Sequence, residues 1–509
     1  MKKILFLLVF LLIIVVVFLY KEPLYDKVFS SKKVNDSLEI NYELTLNEAI
    51  SIGLSHVKKK EMKNSVFNLF DATSVDDQNS RREEGKDGKR HKWNITLVNS
   101  KNGHAYYITI ENGKVKKSDF DEAIKLPKDL LIDIENLNFD SFDAVEVAKE
   151  KLGLLPGEGF AIGYHFVVSK NEKNKPVLSV FGTDKQDGYI SKVHFNAIDG
   201  NLLAVEKKVP NGGGFYRINK TNISLITDEN NAVIGSKSAG QTTLIWGYQN
   251  PGSKFSTAYI KVYKEQSKKW EALSIKEKFI SNVWLSNNFS KDNKIYYSTD
   301  TAIKSFDITK NVRKIIFKGE NLIKFVYSKK VMAVLTDKGD IYYSENNGLS
   351  WEEFKGKEGI NQIKVNQNGD IFALLNGQIY KKDLNHLALI NLPQEIENII
   401  GFECADNILV VYTQNSVWYL DKVQKWHRFD LNIPIETIFV NANKPHNTFI
   451  MSEGTLINFN FDLKGDKYRF KKIDMPSKFI VSDVFASKND IFISIVPTFN
   501  WTLREELDD

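Results

Sequence analysis

Cysteine is almost absent from this chain of 509 residues: Cys404 stands alone, which excludes an intrachain disulfide and any cysteine cluster around a metal. Charge of one sign is also missing. Lys plus Arg number 69 against 64 for Asp plus Glu, a net charge of +5, and three of the basic residues (Lys2, Lys3 and Lys21) flank one apolar run at the start. No concentrated basic face is left for nucleic acid, which is therefore not an expected partner. The eight histidines are scattered, with no pair four apart and no HExxH, and Asp184–Gly188 lacks the spacing of a calcium loop. No phosphate-cradling glycine loop and no Gly-x-Ser-x-Gly elbow occur. What remains is an ordinary globular composition, 42% hydrophobic and 26% charged, long enough for about three folding units.

The apolar run is Ile4 to Tyr20, 17 residues without a charge. As a helix it reaches about 25 Å, at the short end of the membrane-spanning range. It ends in Phe18-Leu19-Tyr20-Lys21-Glu22-Pro23, without the small residues that admit a signal peptidase. The expectation is an uncleaved signal-anchor over 1–21, with a linker over 22–39. The Lys2-Lys3 pair sets the N-terminus in the cytoplasm and the bulk of the chain outside the cell membrane.

Residues 40–120 and 121–210 repeat one order of signals. The first opens with Thr45 or Asn47 as cap and Glu48 in the first turn of a helix. A charge-dense insertion, Asp76 to Lys92, reads as a solvated loop, as does the mixed-sign run Arg81 to Arg90 inside it. Alternating strands follow at Trp93–Val98 and Ala105–Ile110, closed by a turn at Asn112-Gly113. The second copy opens a helix at Asp140–Ala148, continues with strands at Pro176–Phe181 and Ile190–Phe195, and turns at Asp199-Gly200 into a last strand at 201–205. Helix, strand, strand, Asx-Gly turn, strand resembles the PepSY-type domain. The resemblance rests on the helix starts Glu48-Ala49-Ile50 and Asp143-Ala144-Val145 and on the segment Asn196 to Leu202. It implies an exported or tethered accessory domain with a binding or inhibitory role, in some cases toward a peptidase.

Asn211-Gly212-Gly213-Gly214 marks the next boundary. Beyond it, over 211–509, strand-like runs recur every 36 to 42 residues: Ile295, Val331, Ile371, Leu409, Phe449 and Ile491 begin one set. A run precedes each, such as Ile323–Val326 and Gln362–Val365. A third follows each, starting at Ile303, Ile341, Ile379, Val417, Leu456 and Phe499, and a fourth begins near Trp270, Val312, Trp351, Leu387, Trp426 and Tyr468. Four short strands per period predict an all-β propeller of six to seven four-stranded blades, with seven favoured and the ring closed by a strand from Phe215 to Thr227. The fold class is therefore multidomain: a transmembrane helix, two α+β repeats, then the propeller.

The loop Ser344-Glu345-Asn346-Asn347-Gly348-Leu349-Ser350-Trp351 resembles the Asp-box (BNR) turn of sialidase- and sortilin-type propellers. The resemblance implies a structural hairpin built by Ser344, Asn346, Gly348, Ser350 and Trp351, not a catalytic element. A sialidase would need converging arginines, whereas Arg313, Arg428 and Arg469 fall on predicted outer strands. Glu345, Asp370 and Asp490 lie in turns, where carboxylates have backbone reasons to be. Tyr248 and Trp501 are placed at loop tips as possible contact residues, and Cys404 as a small packed residue. No residue is assigned a catalytic, cofactor or metal role. The reading is a membrane-anchored binding or scaffold protein presenting its propeller to a protein or cell-envelope polymer. The competing readings are an envelope glycan hydrolase with carboxylates at the channel, and a PepSY-type regulator of a surface peptidase.

Overall fold

The computed structural model describes residues 42–506 apart from short internal stretches at 62–64, 78–79, 123–125, 159–160, 220–221, 228–230, 240–241, 265–268, 355–357, 384–385, 406–407, 422, 441–446, 463–466, 474–479 and 488–489. The expected anchor, Ile4 to Tyr20, lies outside the described residues. Among the described residues, no helix is long and apolar enough to cross a membrane.

Helix α1 (Leu46–Lys60) begins in a capping box. Thr45 Oγ1 accepts the Glu48 N–H at 3.4 Å, and the Glu48 carboxylate accepts the Thr45 N–H at 2.9 Å. Helix α2 (Ser141–Leu152) is capped by Asp140 and stops at Gly153, which takes a left-handed φ of 68°. Each helix is followed by four antiparallel strands. After α1 come β1 (Phe67–Ser74), β2 (Lys92–Asn99), β3 (Ala105–Glu111) and β4 (Lys114–Asp121). After α2 and the short β5 (Leu154–Leu155) come β6 (His165–Lys170), β7 (Pro176–Asp184), β8 (Ile190–Asn196) and β9 (Leu202–Asn211). Sequence reading missed β1 and β6, and these are the strands that join the repeats, through Ala72 opposite Val168 and Thr73 opposite Val167. One sheet and one hydrophobic core therefore serve both repeats, with Ala49, Ile50 and Val57 of α1 and Ala144, Val145 and Ala148 of α2 packed into it.

The insertion between β1 and β2 is not the solvated loop expected from its charges. Gly85 (φ 78°) and Gly88 (φ 74°) let its backbone press on the second repeat, since a Cβ would meet Tyr164 O at 2.4 Å or Phe142 N at 2.3 Å. Arg90, Glu84 and His91 are consequently buried.

The C-terminal part is a propeller of seven four-stranded blades. Blades I to VI follow the chain over 232–273, 282–318, 322–354, 360–389, 401–430 and 437–473. Blade VII combines Ile480–Ser487 and Asp490–Val496 with Gly214–Asn219 and Asn222–Leu225, so two strands from before blade I close the ring. The innermost strands touch their neighbours all the way round, including blade VII against blade I. Each junction between blades holds its own apolar cluster.

The run at Phe499 departs from expectation. It is not a third strand of blade VII, because Gly214–Asn219 already occupies that edge. Thr498–Glu506 instead leaves the ring and pairs antiparallel with β9, forming the end of the N-terminal sheet. A loop of blade I adds to this junction: Ser253 Oγ donates to Asp187 O at 2.5 Å, and Lys254 N–H to Gly188 O at 3.0 Å.

Candidate functional site in the propeller channel

The innermost strands carry a two-residue alternation around one fully buried position: Val283, Phe325, Ile363, Phe402, Ile438 and Val484, with Ser236 in blade I. The residues on either side of it have their side chains on the other face, toward the channel and the next blade. Most are spent on stitching adjacent blades together. Lys237 Nζ lies 4.8 Å above the Trp284 ring, and Trp284 Nε1 donates to Phe325 O at 3.3 Å. Gln362 Nε2 donates to Phe402 O at 2.9 Å, and Lys364 pairs with Glu403. At the closing junction the Asp483 carboxylate accepts the Ser236 N–H at 2.9 Å and its hydroxyl at 3.2 Å.

Lys324 is different. Its strand, Leu322–Tyr327, has a register break between Leu322 and Lys324, a β-bulge of the sort that re-aims side chains. The amine makes no hydrogen bond or ion pair among the described residues. Burial, then the Lys364 ammonium, draw its pKa down to about 8, with Glu403 opposing, Lys237 adding and Asp483 opposing. Those four charges belong to blades IV, V, I and VII. Lys324 itself lies on the innermost strand of blade III, which borders the channel. Glu403 opposite Lys364 raises that amine's pKa in spite of burial.

All innermost strands run in the same direction, so their first residues share one face of the ring. On that face Ile323 is 45% exposed, Ile400 45% and Ile480 52%. The bulge residue Ile323 directly precedes Lys324. The channel mouth thus carries exposed isoleucines on blades III, V and VII, and the strand of one of them continues into a lysine without a hydrogen-bond or ion-pair partner among the described residues.

The residues singled out from sequence fall elsewhere. Ser344 Oγ donates to Asn346 Oδ1 at 2.9 Å and accepts the Gly348 N–H at 2.8 Å, and Asn346 Oδ1 accepts the Ser350 N–H at 2.9 Å. Trp351 Nε1 donates to Ile316 O of blade II at 2.7 Å, tying this hairpin to its neighbour. Glu345 is exposed on that loop. Asp370 pairs with Lys381 at 3.0 Å and Asp490 with Arg217 at 2.6 Å, each within its own blade. Arg313, Arg428 and Arg469 lie on the outer strands of blades II, V and VI, and the side chain of Arg504 lies outside the described residues. Tyr248 is not at a loop tip: it lies within Thr242–Gln249 and donates to Ile280 O at 3.2 Å. Trp501 lies within the C-terminal strand under Lys192 Nζ, 3.6 Å from its ring. Cys404 sits half-buried beside Glu403, and burial, then that carboxylate, push its thiol pKa upward, away from nucleophilic use.

A second concentration of charge lies where the repeats meet. The fully buried Arg90 guanidinium holds Asp76 at 2.8 Å and Glu84 at 3.2 Å, and donates to Ile162 O at 2.8 Å. His91 bridges Glu84 and Asp77, the latter at 2.8 Å, and His165 Nε2 meets Asp76 at 2.7 Å. Ser74 Oγ stands 3.2 Å from His165 Nδ1, which completes a serine–histidine–aspartate set in outline. It is not a nucleophilic centre. Ser74 is 4% exposed, and its oxygen accepts the Phe166 N–H at 2.9 Å. No group of three or more His, Cys, Asp or Glu among the described residues is placed to hold a metal. An open groove of about 430 Å³ beside α1, lined by Ser55, His56, Lys59 and Lys114 among others, offers no acid–base pair.

No family model matches the chain, and no curated protein matches it. Among solved structures, a chain of "Crystal Structure of Mitotic Checkpoint Complex" is similar at 9% identity and a TM-score of 0.39, over 55% of this chain and 93% of that one. A chain of "YCF48 bound to D1 peptide" is similar at 12% identity and a TM-score of 0.37, over 56% of this chain and 90% of that one. The propeller assignment rests on the strand pairing itself.

Proposed function

We propose that this chain is a protein-recognition scaffold whose propeller engages its partner at the channel mouth where the innermost strands begin. The observation that carries this reading is the apolar rim of Ile323, Ile400 and Ile480 around a channel whose polar groups are otherwise spent on joining blades. Exposed apolar residues gathered on one face of a rigid ring suit association with another protein better than catalysis. The sequence features outside this site fit the same picture. Residues 4–20 would anchor the protein in the cell membrane, with its bulk extracellular. The two repeats, similar to PepSY domains, would serve as the mount for the propeller, and the Ser344–Trp351 hairpin would be an Asp-box-like turn. The pairing of Thr498–Glu506 with β9 supports a mount that holds the ring at a fixed attitude.

The test is covalent cross-linking on intact cells with the full chain and with the double variant Ile323→Asp, Ile400→Asp. Both positions are exposed, so the variant keeps its fold. Partners captured by the unmodified chain and lost from the variant support recognition at the mouth. Identical capture by both forms excludes it.

A further inference from the structure

The position of Lys324 leads to a statement about the partner's chemistry, and it rests on the reading of the channel mouth as a recognition face. We propose that the channel is a carboxylate receptor: it takes an acidic side chain from an extended segment of the partner protein, with Lys324 as the receiving ammonium and Ile323, Ile400 and Ile480 holding the apolar residues on either side.

Three observations carry it. First, every other charged group named in the channel is engaged. Lys364 has Glu403, Lys237 has the Trp284 ring, and Asp483 accepts two hydrogen bonds from Ser236. Lys324 alone among them has no hydrogen-bond or ion-pair partner among the described residues, and its side chain is half-buried on the innermost strand of blade III. Second, the two carboxylates whose charge acts on it are each bonded to another group, Glu403 to Lys364 and Asp483 to Ser236, which leaves the amine open to an acceptor from a ligand. Third, the bulge leaves Ile323 exposed immediately before Lys324 in the strand, which offers one ligand segment an apolar contact and an ionic contact a residue apart. Such a pair of contacts selects a peptide over a free anion, because a small carboxylate has nothing to place against the isoleucines. A charge-assisted hydrogen bond formed away from bulk water is stronger than a neutral one.

The experiment uses the full chain and two fluorescently labelled peptides, one alternating leucine with glutamate and the other leucine with glutamine, titrated by anisotropy. The glutamate peptide is expected to bind about tenfold more tightly than the glutamine peptide. Lys324→Met should abolish that preference, and Lys324→Arg should keep it. Equal binding of the two peptides, no binding of either, or an undiminished preference in Lys324→Met overturns the proposal. Thermal melting decides whether the lysine has a structural role instead: Lys324→Met is expected to melt at the same temperature or higher, and a lower melting temperature also overturns the proposal. The outcome is separable from that of the recognition reading. If Lys324→Met still captures the partners that Ile323→Asp, Ile400→Asp loses, recognition at the mouth stands and the carboxylate receptor falls. If the unmodified chain captures nothing, recognition falls, and the peptide titration still decides whether the channel receives a carboxylate.

Discussion

Two concentrations of enclosed charge, one in each half of the molecule, are built on opposite rules. Around Arg90 every charge has a partner: the guanidinium faces two carboxylates and backbone carbonyls, and His91 and His165 close the remaining carboxylate positions. Around Lys324 the pairs are made between its neighbours, and the central ammonium is left over. The first arrangement joins two repeats that contribute separate strands to one sheet. The second leaves one ammonium with no hydrogen-bond or ion-pair partner among the described residues. Natural proteins tolerate such a deficit where function needs it, and the deficit makes its removal harmless to the fold.

The largest expected effect comes from breaking the paired set. Arg90→Met leaves the buried Glu84 and the half-buried Asp76 without their cation and should cost about 3 to 5 kcal/mol. Hydrogen exchange should locate the loss in β1, β2 and β6, because the guanidinium donates to carbonyls of the insertion and of the segment leading into β6. Lys324→Met is the converse. Deleting the amine removes the penalty on its charged form, up to about 3 kcal/mol, so this variant should match or exceed the parent in urea unfolding at neutral pH. Equal losses from the two variants would erase the distinction.

Titration separates the two sets by sign. The Asp76 pKa falls from 3.8 to about 2: burial opposes the shift, and His165, the Ile162 N–H and Arg90 outweigh burial. Its contribution is therefore present above pH 3.8 and lost as pH falls toward 2. For His91, burial is outweighed by Glu84 and Asp77, and its pKa rises above 6.5, so its contribution is present below pH 6.5 and lost as pH climbs through the raised value. Lys324 has a lowered pKa, and the sign reverses. The penalty on its charged form holds below about pH 8 and is relieved between 8 and 10.5, so stability gains from that residue as pH rises. The charges facing it from the other blades are Lys364, Glu403, Lys237 and Asp483. The difference in unfolding free energy between parent and Lys324→Met should shrink across that interval, and a constant difference would deny the shift.

How much of this was legible in the sequence depends on whether the signal is local. The capping box of α1 needs only Thr45 and Glu48, and the blade period needs only the spacing of apolar runs, so both could be read. The closing of the ring could be foreseen, but not that Thr498–Glu506 would leave it, because that depends on Gly214–Asn219 reaching Asp490–Val496 first. The run Arg81 to Arg90 looks solvated because its signs alternate. Its burial is decided by contacts of Gly85 and Gly88 with Tyr164 and Phe142, more than fifty residues away in sequence. Lys324 was visible inside a strand-like run, yet its isolation is a property of five blades at once. Pairing across long separations is what one sequence conceals, and both charged assemblies consist of it.

The smallest predicted effects sharpen the comparison at the surface, in the Ser344–Trp351 hairpin. Gly348→Ala should cost about 1 to 2 kcal/mol, since φ is 84° and the new Cβ would lie 2.9 Å from Ile316. Asn346→Ala removes the acceptor of the Ser344 hydroxyl and of the Ser350 N–H and should cost about 1 kcal/mol. Asn346→Asp is the informative member of the series. Asn346 Nδ2 donates to Ser350 Oγ at 2.7 Å, and a carboxylate oxygen in its place cannot donate. The serine hydroxyl can rotate and donate instead, and every polar group in the turn is again paired. Thermal unfolding should then shift by no more than about 0.5 kcal/mol in either direction. If the added charge by itself destabilises the hairpin by as much as the alanine does, then satisfaction of hydrogen bonds is not what governs these polar clusters. The contrast between Arg90 and Lys324 would then need an explanation from net charge.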